Sequence, residues 1–272
     1  MSVYVASLNS GSNGNCYYIG TAHDAVLIDA GISCKEILKR MRNLNLSIDK
    51  VRAVFISHEH IDHIKGVEVL SKRYEIPVYI TPATLTNSRT RPPDYLVRNF
   101  TAHEVVQLNE INILPFPKLH DAADPHSFVV TINGINVGVF TDIGAPCSHV
   151  TEYFRRCHAA FLEANYDDDM LANGKYPYHL RKRISSDVGH MSNAQALELF
   201  LNHRSPDLSH VWLSHLSKDN NSHEVAMEAF RPYAGSVQVS IASRYCETEI
   251  FQPGDSVSTT TKEQYKQISL FS

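Results

Sequence analysis

The run Ser57-His58-Glu59-His60-Ile61-Asp62-His63 follows directly on the apolar stretch Val51-Arg52-Ala53-Val54-Phe55-Ile56. The apolar stretch reads as a buried strand, and the loop that leaves it carries four potential metal ligands. Packing does not explain them. Crowded imidazoles without a metal repel one another on protonation, and each needs a hydrogen-bond partner. A divalent ion removes both problems, because neutral imidazole and carboxylate are its natural ligands. The spacing points to two ions. His58 and His60 can converge on a first, while the adjacent pair Asp62 and His63 diverges toward a second.

Outward from this run, short strand patterns alternate with helical ones. Strands are expected over Val3–Leu8, Cys16–Ile19 and Ala25–Ile28, separated by Gly- and Asn-rich turns. Helical periodicity covers Cys34–Leu44, and a helix opening near Ile61 is expected to carry Ile64, Val67, Leu70 and Tyr74 inward. A strand follows at Ile76–Ile80. The middle section reads as sequential strands (Val105–Leu108, Ile111–Phe116, Phe128–Ile132, Ile135–Phe140), with a hairpin signal at Asn133-Gly134. The second half repeats the theme with strands Ala159–Glu163, Val211–Ser214 and Val237–Ile241. Its helices are expected near Val150–Cys157, Asn193–Asn202 and His223–Phe230, and Ser192 with Gln195 forms a capping-box pattern. With no Pro/Ser linker and no solenoid-length repeat, two mixed αβ halves form one domain over residues 1–255, followed by a polar C-terminal tail over 256–272.

The chain has 272 residues, enough for a sizeable core. Its 25 basic and 29 acidic residues give a formal charge of −4, which excludes a globally basic nucleic-acid binder but allows a local basic patch. Five scattered cysteines without CxxC spacing read as reduced thiols. The opening MSVYVASLNSGSNGN lacks the charged and apolar regions of a signal peptide, and no apolar run approaches membrane-spanning length. A soluble, cytoplasmic protein with no membrane association is expected.

Further acidic and imidazole groups fall just after expected strands, where open α/β folds gather their sites. Asp29 follows the strand pattern in VLIDAG, His120 ends ILPFPKLH, Asp142 ends VGVFTD and His215 ends VWLSH. A carboxylate or imidazole at the end of a buried strand must be hydrogen-bonded or ligated. Singly, each reads as a turn or capping residue. Together with SHEHIDH they are enough for two coordination shells.

HxHxDH with an upstream DAG, then a separate His, an Asp and a late His, resembles the metallo-β-lactamase superfamily, over Val3 to about Ile250. The resemblance implies a four-layer αββα sandwich, two mixed β-sheets flanked by helices, with the metals at the edge of the sheets. It implies that His58, His60 and His120 hold a first metal, that Asp62, His63 and His215 hold a second, and that Asp142 bridges them. Asp29 would orient the HxHxDH loop. Zinc suits such ligands, with manganese or iron as alternatives. Five segments in order, SGSNGNCYYIG, HDAADPHSF, LEANYD, GHMSN and LSHLSKDNN, further resemble the YycJ/WalJ (VicX-like) branch, which is linked with double-stranded DNA exonuclease activity and DNA repair.

Fold does not fix reaction, so the substrate rests on residues 162–196. His190 stands two positions before the Ser192 cap, beside helix N–H donors that suit a phosphate oxygen. Glu163 can orient and charge it, and this pairing resembles the general-acid arrangement of the nuclease branches. Lys175, Arg181, Lys182 and Arg183, interleaved with Tyr176, Tyr178 and His179, suit backbone phosphates and stacked bases. These features predict a dinuclear metal-dependent phosphodiesterase acting on nucleic acid, most simply a 5′-to-3′ double-stranded DNA exonuclease. Asp62, His190 and Glu163 are the expected catalytic residues. The competing reading is a thioester or lactone hydrolase of the glyoxalase II or lactonase kind, and a third is a binding protein with a vestigial site.

Overall fold

The computed structural model describes residues 2–253; the polar tail expected over 256–272 lies outside them. The first half runs β1 (Tyr4–Asn9), β2 (Cys16–Gly20), β3 (Ala25–Ile28), α1 (Cys34–Asn43), β4 (Val51–Phe55), α2 (Ile61–Ile64), α3 (Val67–Tyr74), β5 (Val78–Tyr79), α4 (Pro82–Asn87) and β6 (Val97–Arg98). The second half runs β7 (Val106–Leu108), β8 (Ile111–Pro117), β9 (His126–Ile132), β10 (Ile135–Phe140), α5 (Ser148–Phe154) and β11 (Ala159–Glu163). It continues through α6 (Asp168–Asn173), α7 (Tyr178–Ile184), α8 (Asn193–His203), β12 (His210–Ser214), α9 (His223–Phe230) and β13 (Gln238–Ile241).

Alternation along the central strands produces four layers, because successive side chains point to opposite faces. In β4, Ala53 and Phe55 join a core shared by both sheets, with Phe128, Phe161 and Trp212. Val54 and Ile56 face the other way and pack with Ile37 and Met41 of α1 and Leu70 of α3. The second half does the same: Phe161 and Trp212 enter the inter-sheet core, while Leu162 and Leu213 pack under Phe154, Phe200 and Phe230. Each such side chain, taken fully out of water, contributes about 1.5–3 kcal/mol. The order helix, sheet, sheet, helix matches the expected αββα sandwich.

Both sheets keep their strands in chain order, six in the first and seven in the second. In the first, β1, β2 and β3 pair antiparallel, and β3 through β6 pair parallel. In the second, β7 through β10 pair antiparallel and β10 through β13 parallel. β3 and β4 therefore end at one edge of the first sheet. β10, β11 and β12 end together in the second, and β8, two antiparallel steps from β10, ends there too. Asp29, SHEHIDH, His120, Asp142, Glu163 and His215 all lie at or just past these ends. Strand direction alone thus gathers residues that are up to 186 positions apart in the sequence (29 to 215).

Several element bounds differ from expectation. The helix expected from Ile61 breaks into α2 and α3. The break falls at Gly66, whose N–H donates to Ala30 O at 2.7 Å and where a Cβ would stand 2.2 Å from Ile32 O. The strand expected over Ile76–Ile80 is only Val78–Tyr79. α4, α6 and α7 were not anticipated; they are short and lack a wide apolar stripe. The hairpin signal holds. Ile132 pairs with Ile135 across Asn133 (φ 51°) and Gly134 (φ 80°), the two-residue turn with both central φ positive.

Candidate metal centre

Asp29 (φ 61°), Asp142 (φ 54°) and His215 (φ 56°) all leave their strands in the left-handed conformation. Asp and His tolerate it better than most residues, yet it costs on the order of 1–3 kcal/mol each. The sharp turn swings each side chain back over the strand ends instead of onward with the chain. Asp29 uses this position to hold the SHEHIDH loop. Its Oδ1 accepts from Ser57 N–H at 2.8 Å and its Oδ2 from Ser57 Oγ at 2.8 Å and His63 Nδ1 at 2.7 Å. Two residues on, Gly31 provides the clearance: a Cβ there would lie 1.6 Å from Asp62 O.

His58, His60 and His120 converge. Nε2 of His58 and Nε2 of His120 lie 3.1 and 3.3 Å from Nδ1 of His60. Burial, the neighbouring imidazole of His63 and Lys118 drive the His58 pKa well below the usual histidine value. Burial also pushes His120 down to about 4, against the pull of Asp142. Both rings are therefore neutral, with lone pairs to offer. His120 Nδ1–H donates to Gly189 O at 3.0 Å, which turns its Nε2 toward the cluster.

Asp62, His63, Asp142 and His215 form a second group, its donor atoms within 4.8 Å of one another. His63 Nε2 lies 3.1 Å from Asp142 Oδ2 and 3.6 Å from Asp62 Oδ2. His215 Nε2 lies 3.6 Å from Asp142 Oδ1 and 3.5 Å from Asp62 Oδ2. Burial would lower both imidazoles, but the carboxylates Asp142, Asp29 and Asp62 raise His63 well above its usual value. Asp142, Asp62 and Glu163 likewise raise His215 to about 10 against the same burial. Asp142, also within 3.8 Å of His120 Nε2, touches both groups.

Glu163, fully buried at the end of β11, ties the second group to His190. Its Oε1 accepts from His190 Nδ1 at 2.9 Å and His215 Nδ1 at 3.0 Å; its Oε2 accepts from Ile143 N–H at 2.6 Å. Burial alone would raise this carboxyl, but His190 and His215 hold it below the usual carboxylate range. With Nδ1 committed, Nε2 of the partly exposed His190 is the nitrogen left to carry a proton outward. A third overlapping group (Asp142, Glu163, His190, His215) has ligand spacing, yet Glu163 already accepts from both imidazoles. The N–H donors expected beside His190 are occupied: Met191 N–H reaches Glu163, Ser192 N–H reaches Gln195, and Asn193 N–H reaches Tyr166 O. The capping box that marked the helix start is what consumes the second of them.

Four further residues join the site, three of them (Ser57, Asn165 and Lys118) without a signal in the sequence. Ser57 Oγ stands 2.9 Å from His58 Nδ1 and 3.2 Å from His63 Nδ1. Asn15, whose place in the first Gly- and Asn-rich turn suits a turn residue at the mouth of the site, puts its Nδ2 3.1 Å from His63 Nε2 and 3.4 Å from Asp62 Oδ2. Asn165 Nδ2 donates to His215 O at 2.7 Å. Lys118 is buried and donates to Thr141 O at 2.7 Å, next to Asp142. The basic stretch is divided. Lys175 and Lys182 are exposed, Arg181 donates to Ala172 O, and Arg183 Nε pairs with Asp121 at 2.6 Å. His126, close in sequence to His120, is buried, and its Nδ1 lies 2.9 Å from Asp124 O.

Residues 24–215 match the family model described as "Beta-lactamase superfamily domain". The chain belongs to the metallo-β-lactamase superfamily. It is 33% identical to "Exodeoxyribonuclease YycJ" of Bacillus anthracis, covering 83% of this chain and 87% of that protein. It is 31% identical to "Exodeoxyribonuclease WalJ" of Streptococcus pneumoniae serotype 2, covering 80% and 83%. Among solved structures, the metallo-β-lactamase fold protein YhfI from Bacillus subtilis superposes with a TM-score of 0.73 at 15% identity, over 93% of this chain and 100% of that one. As a superfamily member the chain is a hydrolase. Among the described residues no helix is long and apolar enough to cross a membrane.

The donor set of this superfamily member suits divalent cations. Asp142 Oδ2 and His215 Nε2 are buried and, despite His63 and Asp62 at 3.1 and 3.5 Å, complete no well-aligned hydrogen bond; an ion would satisfy both. Nitrogens bound to one tetrahedral ion at about 2.0–2.1 Å stand roughly 3.3 Å apart, close to the separations around His60. Metal binding must displace the protons on His63 and His215. In the metal-free chain, the stabilisation from a raised imidazole is complete below pH 6.5, the usual histidine value, and is lost as pH rises toward about 10 for His215. Added zinc or manganese is therefore expected to raise the melting temperature more at pH 9 than at pH 6.5. Thermal denaturation with and without chelator at both values checks this; an equal or smaller shift at pH 9 contradicts it.

Proposed function

We propose that this chain is a dinuclear metal-dependent phosphodiesterase that acts on nucleic acid, as a 5′-to-3′ double-stranded DNA exonuclease serving DNA repair in the cytoplasm. The observation that carries the reading is the Glu163–His190 pair standing against two groups that share Asp142. Cleaving a phosphodiester expels an alkoxide, which needs a proton donor far more than a thiolate does. The names of the two relatives, both exodeoxyribonucleases, support the same substrate.

His58, His60 and His120 would hold one metal, and Asp62, His63 and His215 another, with Asp142 between them; zinc suits these donors, and manganese or iron are the alternatives. When bound, such ions lower the pKa of water and neutralise phosphate oxygens. The chain's own residues do the rest. Asp29 and Ser57 fix the SHEHIDH loop, and Glu163 holds His190 with Nε2 facing outward to protonate the leaving oxygen. Lys175 and Lys182 face solvent where a strand's phosphates would pass, with Arg181 and Arg183 anchoring the same segment.

End-labelled double- and single-stranded DNA and RNA, incubated with the purified chain and Mn²⁺ or Zn²⁺, test the proposal. Stepwise release of nucleotides from the 5′ end of duplex DNA, lost in His60→Ala, is expected. Undiminished cleavage by that variant, or cleavage of thioesters and lactones without any nuclease activity, overturns it.

A further inference from the structure

A cavity of about 410 Å³ opens between α6 and α7, and none of the steps above uses it. Its volume lies within the ~300–1,000 Å³ typical of small-molecule pockets. Tyr166 and Leu171 are buried in its lining, whereas Tyr178 stands at its rim with 73% of its surface exposed. Asp168, Arg181, Lys182 and Ser185 supply the polar groups.

The cavity is tied by backbone to the proposed proton donor. Tyr166 follows Glu163 by three residues and bridges to Ser192, two beyond His190. At the other end, His190 N–H donates to Ile184 O, the last residue of α7. Whatever occupies this space lies against the same segments that set the Glu163–His190 pair.

The lining mixes signs: the Asp168 carboxylate would repel a phosphate seated beside it, while Lys182 and Arg181, which also donates to Ala172 O, would attract one. Aromatic faces and an apolar floor suit a flat ring instead, and a carboxylate with a hydroxyl suits N–H donors on that ring's edge. Lys182 can meet a phosphate flanking such a ring.

We propose that this cavity takes one unpaired nucleobase of the strand being degraded, stacked on Tyr178 with its amino or imino edge toward Asp168 and Ser185. The proposal rests on the nucleic-acid reading above. It gives Tyr178 a binding role that an exposed surface aromatic does not need, and it requires the substrate strand to be unpaired at that position.

The test uses the full metal-loaded chain with single-stranded oligonucleotides made uncleavable by modified linkages, each carrying one 2-aminopurine at a different position. Stacking quenches this base, so one position is expected to lose fluorescence at least about twofold more than its neighbours. Tyr178→Ala should abolish that difference and weaken binding roughly five- to hundredfold, the range for one stacked base. Tyr178→Trp should restore both. Uniform quenching along the strand, or an alanine variant that behaves as the parent, overturns the cavity assignment even if duplex DNA is cleaved. A chain that binds no oligonucleotide overturns this assignment together with the nucleic-acid reading.

Discussion

Replacing Asp142 by alanine is expected to empty the metal centre and to lower hydrolysis by roughly a thousandfold or more, the order set by losing several kcal/mol of charge stabilisation. Among the described residues no other single carboxylate reaches both groups: its oxygens stand 3.1 Å from His63, 3.6 Å from His215 and 3.8 Å from His120. The effect on the metal-free fold is smaller. Stripping a partner from a buried charge ordinarily costs about 3–5 kcal/mol, but here the imidazoles of His63 and His215 can shed their protons once the carboxylate has gone. Metal content per chain, cleavage rate and melting temperature with and without chelator separate the two consequences. The expected pattern is a chain that melts at nearly the parent's metal-free temperature and gains little from added metal. A variant that keeps its full complement of metal and its rate removes Asp142 from the centre.

Which parts of this arrangement are legible in the sequence follows from where each residue lies along the chain. SHEHIDH is legible because its donors sit within one turn of chain, where only a metal makes their crowding sensible. Asp29, Asp142 and His215 are legible because a polar residue closing an apolar strand must find a partner. What makes them converge is strand direction: β3 and β4 are parallel in one sheet, and β10, β11 and β12 in the other. The apolar alternation carried that architecture, so the αββα layering was readable as well.

The residues that escaped share a physical reason. Ser57, Asn15 and Asn165 are small polar residues in loops, where a turn is the ordinary role. Asn15 reaches His63 and Asn165 reaches His215 only because separate segments meet, while Ser57 meets His58 and His63 only once its own loop folds back. Lys118 carries no signal of its own two residues before His120, and tertiary closure buries it against Thr141 O. The α6–α7 region was read as a basic stretch, but its helices were hidden because almost none of their residues is buried. Local pattern therefore located the residues that converge, while their second rank of partners and the neighbouring cavity follow from tertiary closure.

Replacing His190 by alanine is expected to lower the turnover of DNA by about 10²–10⁴-fold, the range for a lost general acid, while leaving metal content intact. A merely structural histidine would slow every substrate alike. A proton donor is needed in proportion to the basicity of the leaving group, so a p-nitrophenyl phosphodiester should be cleaved by His190→Ala at close to the parent rate. Glu163→Gln should divide differently. Glu163 accepts from His190 and His215 and from the N–H groups of Ile143 and Met191, so its loss weakens metal binding as well as proton transfer. Both DNA and the activated ester should slow in that variant, and excess metal should recover the ester rate but not the DNA rate. If His190→Ala loses the two activities equally, Nε2 is not delivering the proton to the leaving oxygen. The pair would then act by holding the segment between Gly189 and Ser192 against the centre.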